Sequence, residues 1–136
     1  MSKQLGFTVE LPLSFDAAIG RVREALKQEG FGVLTEIDLR AAFKEKLGHD
    51  FRPYAILGAC NPPLAFKAMT TDPSVGLLLP CNVSVDGIAD DRTRVQLTDP
   101  EALLSAAALE GAPELASVAG DARERMLRVT EALAKQ

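Results

Sequence analysis

Phe7-Thr8-Val9-Glu10-Leu11-Pro12-Leu13-Ser14-Phe15-Asp16-Ala17-Ala18 carries the transition on which the fold turns. Phe7, Val9 and Leu11 alternate with Thr8 and Glu10, the period of two expected of a half-buried strand. Pro12 ends that strand, because it has no N–H to give to a sheet ladder. Ser14 then offers a side-chain oxygen to the free donors of a new helix, and Asp16 places a carboxylate at the positive end of its dipole. From there the period changes. Phe15, Ile19, Val22 and Leu26 fall on one helical face, filled in by Ala18 and Ala25, while Arg21, Glu24, Lys27 and Gln28 lie elsewhere on the wheel. Gly30 supplies the left-handed residue that closes the helix.

The alternation continues outward from this unit. Gly32 to Ile37 reads as a second strand, and Asp38 caps a short helix that carries Leu39, Ala42, Phe43 and Leu47 inward and closes at Gly48. Pro53 to Ala59 reads as a third strand. Asn61-Pro62 is a helix start, since asparagine accepts from free backbone donors and a proline at the first helical position gives up an N–H that has no partner. That helix is expected over Leu64 to Met69 and is broken by Asp72-Pro73. Leu77 to Val85 is expected as a fourth strand with Leu77, Leu79, Cys81, Val83 and Val85 on one face, although Pro80 demands an edge, a strand start or a bulge just before Cys81. Thr93, Val95 and Leu97 alternate with Arg94 and Gln96 as a fifth strand, and Asp99-Pro100-Glu101 repeats the cap-then-proline signal. From Pro113 onward Leu115, Val118, Ala122, Met126, Val129 and Leu133 mark a long terminal helix, with Arg123, Glu124, Arg125 and Arg128 as its solvated face. The expected fold is α/β, of the α+β type: one sheet of about five strands with helices packed over it, a two-layer sandwich formed as a single domain over residues 1–136.

Composition narrows the function classes. With 136 residues, one core can bury roughly two-thirds of the unfolded chain's surface. Fifteen Lys and Arg against nineteen Asp and Glu leave a formal net charge of −4, which argues against a general affinity for nucleic acid or anionic lipid. No Trp and a single tyrosine, Tyr54, leave no stacking platform for single strands. The start of the chain, Met1 to Gly6, lacks the apolar stretch of a signal peptide, and no segment approaches the roughly 18 apolar residues of a membrane span. The expected location is the cytosol, where the two cysteines stay reduced. The alanine-rich patch from Ser105 to Ala108 is explained by helix propensity alone.

Several uncommon words then occur in order: Pro12-Leu13-Ser14-Phe15-Asp16-Ala17-Ala18, Gly30-Phe31-Gly32-Val33-Leu34-Thr35-Glu36-Ile37-Asp38, Phe51-Arg52-Pro53-Tyr54, Leu57-Gly58-Ala59-Cys60-Asn61-Pro62-Pro63-Leu64-Ala65 and Leu79-Pro80-Cys81-Asn82-Val83. In these the chain resembles the bacterial and archaeal family called domain of unknown function 302, over almost its full length. The resemblance implies a compact α/β fold of the TATA-binding-protein class and a homodimer. It implies no activity, cofactor or substrate, and a likeness to a DNA-binding fold is no argument for DNA.

Two of those words hold both cysteines, Cys60-Asn61 and Cys81-Asn82, each pair beside proline. Zinc would need four ligands, and the chain offers Cys60, Cys81, a lone His49 expected in an exposed loop, and carboxylates such as Glu36 or Asp38; no Cys-x-x-Cys exists, and no metal is assigned. A redox pair would need the two thiols close together with a lowered pKa. Cys60 stands before a helix N-terminus, but Pro62 and Pro63 remove two of the N–H groups that would face an anion there, so neither a thiolate nor a phosphate is well held. The plain alternative makes Cys81 a small core residue and Asn61 a cap. Asn82, opposite Cys81 on a regular strand, has no such plain role.

Glu36 and Asp38 share one side of a strand end, and Arg52 and Tyr54 one side of another. Together with Cys60, Asn61, Cys81 and Asn82 they make the candidate ligand-binding set, a mixture able to orient a small polar ligand. The alternative is that Asp38 caps its helix, Glu36 pairs with Arg52 on the surface and Tyr54 packs. Three readings stay open: a module binding a small polar ligand or a metal, a dimeric structural protein, and a thiol redox protein. The residues specify no reaction and no cofactor.

Overall fold

The computed structural model describes residues 4–107 and 112–135. Met1 to Lys3 and Ala108 of the alanine-rich patch lie outside the described residues. Five strands, β1 (Gly6–Leu11), β2 (Gly32–Asp38), β3 (Tyr54–Cys60), β4 (Cys81–Ala89) and β5 (Arg92–Thr98), form one sheet in the order β1-β5-β4-β3-β2. All neighbours are antiparallel. Five α-helices accompany them: α1 (Phe15–Gln28), α2 (Leu39–Leu47), α3 (Pro62–Thr71), α4 (Pro100–Ala106) and α5 (Pro113–Ala134). A sheet with helices packed over it is the fold expected from the periodicities.

The register shows why one face is covered. Val9, Val95 and Val85 lie side by side across β1, β5 and β4, and Phe7, Leu97, Val83 and Leu57 form the next row. Both rows face α1 and α5, whose Ala18, Val22, Leu26, Met126, Val129 and Leu133 complete the main core. Thr93 takes a core position because its hydroxyl donates to the Leu13 carbonyl at 3.0 Å, which removes the cost of burying it. The opposite face carries Thr8, Glu10, Asn82 and Gln96, all exposed. This is the division expected of an antiparallel sheet with one solvated side.

Helix ends follow their local signals. Ser14 accepts from Ala17 N at 3.3 Å, Asp38 from Ala41 N at 2.9 Å, Asn61 from Leu64 N at 3.2 Å and Asp99 from Glu101 N at 3.0 Å. Gly30, at φ +84°, ends α1 in a Schellman motif: its N–H bonds Lys27 O and the Phe31 N–H bonds Leu26 O, both at 3.0 Å. Leu26 and Phe31 are both buried in the core this turn closes over.

Three expectations are corrected. The fourth strand begins at Cys81 rather than Leu77, because Asp72 accepts from Ser74 N and starts a 3₁₀ helix over Pro73–Leu78. Leu77 is consequently 90% exposed and shares no strand face with Cys81. Leu47 is 63% exposed, since α2 rests on the sheet through its middle and buries no residue fully. The face of α5 that carries Arg123, Glu124, Arg125 and Arg128 lies at the surface, where Arg123 pairs with Asp99 and Glu101, Arg125 with Asp121, and Arg128 with Glu29. No helix among the described residues is long and apolar enough to cross a membrane.

Candidate functional site

Ala59 and Cys81 are register partners on the covered face, so the ends of β3 and β4 place both beneath the helices. A second apolar cluster lies beside the main core at this end: Ala68 of α3, Val75 of the 3₁₀ helix, Leu104 of α4, and Leu115 and Ala119 of α5. At the seam between the two clusters is a cavity of about 90 Å³. Cys60, Asn61 and Cys81 line its sheet side, with Phe31 and Ala59; α3, α4, α5 and the 3₁₀ helix line the rest.

Small side chains make the space. Ala65 and Ala68 on α3 and Ala119 and Ala122 on α5 all line it, and residues three apart on a helix share a face. Leucines in these places would fill the seam. Ala122 belongs to the apolar face read from the sequence and Ala65 to one of its family words, but Ala68 and Ala119 are not among the residues singled out there, and their only signal is the pairing of alanines at a spacing of three within otherwise amphipathic helices.

Asn61, 8% exposed, holds a boundary position. Its Oδ1 is spent on Leu64 N, and its Nδ2 lies beside Gly30, where an added Cβ would come within 3.0 Å of it. Gly30 therefore answers two demands, a positive φ and room for this amide. Arg125 fixes the same loop, its Nη1 donating to Glu29 O at 3.0 Å and lying 3.5 Å from that same Cβ position.

Both thiols are protonated at neutral pH. Burial pushes Cys81 up to about 11, with neighbouring Cys60 adding to the effect, and burial also raises Cys60. They contribute soft apolar surface and weak donors rather than thiolate. Among the described residues no group of three or more His, Cys, Asp and Glu is gathered in one place, and His49 is exposed.

The remaining expected residues stand elsewhere. Asn82 pairs with Gly58, points away from the helices and is exposed, in a shallow polar recess of the open face with Thr8, Ser84, Gln96 and Thr98. Glu36 pairs with Arg23 of α1 instead of Arg52. Arg52 instead grips the buried Asp86 and lies over the Phe51 ring, 4.6 Å from its centroid. Asp38 caps α2, and Tyr54 stands in an aromatic group with Phe51, their centroids 6.3 Å apart. The structure thus brings Cys60, Asn61 and Cys81 together and leaves Asn82, Glu36, Asp38, Arg52 and Tyr54 outside the cavity.

Comparison with known proteins agrees with this architecture. The crystal structure of an uncharacterized conserved DUF302 protein from Bacillus stearothermophilus is similar at a TM-score of 0.83 and 30% identity, over 96% of this chain and 99% of that one. No curated protein matches. The family described as domain of unknown function DUF302 matches residues 7–133, and the chain belongs to that family.

Proposed function

We propose that this protein is a cytosolic, single-domain small-molecule-binding module whose site is the cavity under the Cys60-Asn61 and Cys81 corners. The observation that carries the reading is a preformed apolar recess with convergent polar atoms at one wall, the usual construction of a ligand site. A purely structural protein would gain by packing larger apolar side chains there. The expected polar ligand is revised accordingly: most of what it touches is hydrocarbon.

Methyl-detected NMR with a library of small fragments tests the proposal. Binding should shift the methyls of Leu64, Leu79, Leu104 and Val118 together. A library that moves none of them contradicts it.

A homodimer is supported by a separate observation. Among the described residues the outer strand β2 has no neighbour on one side, and it exposes Leu34 and Ile37, at 66% and 49%. An unpaired edge with apolar side chains is suited to self-association. Sedimentation velocity of wild type beside Ile37→Lys distinguishes a dimer from a monomer.

A further inference from the structure

We infer that the cavity selects an uncharged ligand, one that buries in it a short apolar group of about four to six heavy atoms. The inference rests on the small-molecule reading above and adds the chemical class. Two observations carry it.

Size comes first. The cavity holds about 90 Å³, less than the roughly 150 Å³ of an engineered apolar cavity that accepts benzene. A branched or linear group of a few carbons fits within that volume.

Charge comes second. Among the described residues none that lines the cavity is ionisable except the two thiols, and burial keeps those protonated at neutral pH. Arg125 reaches the same loop but is committed to Glu29 O and to the Asp121 carboxylate. A carboxylate or ammonium entering the cavity would lose its hydration with no counter-charge to replace it.

The test is an NMR titration of the intact protein with three probes of the same chain length: butyramide, butyrate and butylammonium. A ligand this small binds at about millimolar. Butyramide should shift the cavity methyls, with both ions at least about tenfold weaker because a buried charge goes unpaired. Equal or tighter binding of either ion, with the cavity methyls responding, overturns the neutral class and leaves the ligand reading intact. If none of the three moves the cavity methyls, both the class and the site fail.

Discussion

Asn61 accepts the Leu64 backbone N–H at 3.2 Å, so one side chain starts α3 and closes the rim of the cavity. The two roles separate by substitution. Asn61→Ala should lower stability by about 1 kcal/mol through loss of the cap, whereas Asn61→Asp should leave it nearly unchanged. Urea denaturation of both variants checks this, and an unshifted midpoint in Asn61→Ala removes the capping role.

The two cysteines differ in access. Cys81 is 9% exposed beneath the helices and Cys60 is more accessible. Thiol reagents at neutral pH should modify Cys60 first and Cys81 only when the helices open. Timed labelling mapped by mass spectrometry measures the order. Rapid modification of Cys81 would be incompatible with its place in the cavity wall.

The Cys81 thiol also makes stability depend on alkaline pH. Below pH 9.0 it is protonated in folded and unfolded chains alike. Above that value the unfolded chain ionises while the folded one holds its proton up to about 11, so stability falls as pH rises through this window. The full effect is about 3 kcal/mol. Cys81→Ala should show a shallower decline from pH 9 to 11, measured by urea midpoints, and an unchanged slope would remove the burial of this thiol as its cause.

Gly58 is required by its neighbours. A Cβ there would come within 2.3 Å of Thr35 Oγ1 and 2.8 Å of Pro80 Cγ. Gly58→Ala should therefore destabilise by about 1–3 kcal/mol through overpacking, and Thr35→Ser leaves the clash in place because the hydroxyl remains. A thermal midpoint equal to wild type would show that the two residues move aside freely.

Arg52 and Asp86 form the bidentate pair of the open face, at 2.6 and 3.1 Å. Asp86 is buried and Arg52 is half exposed, so the burden of separation falls on the carboxylate. Arg52→Ala should lower stability more than Arg52→Lys and should not alter fragment binding in the cavity. A loss of fragment binding in a folded Arg52→Ala would tie the open face to the site.

Local signals made most of the fold legible. A cap is decided within four residues, which is why Ser14, Asp38, Asn61 and Asp99 all act as their sequence context predicts. The start of β4 was harder, because the apolar alternation of Leu77, Leu79 and Cys81 competes with the turn chemistry of Asp72-Pro73, and the turn prevails. Half of the site was legible in the two Cys-Asn words. The rest depends on Ala68 and Ala119, small residues far apart in the chain that meet only after α3 and α5 pack. Nothing local marks two alanines as facing walls. Glu36 and Arg52 show the same limit, since their partners, Arg23 of α1 and Asp86 of β4, are set by helix packing and by strand pairing rather than by strand period.

The central claim is that the cavity takes up a small neutral molecule, and methyl-detected NMR of the wild-type protein titrated with butyramide tests it most directly, beside Ala119→Leu and Ala68→Leu variants that fill the space. The account predicts saturable shifts of the cavity methyls at about millimolar butyramide that a folded, filled variant lacks. Unmoved cavity methyls in wild type, together with filled variants that are simply more stable, would contradict it.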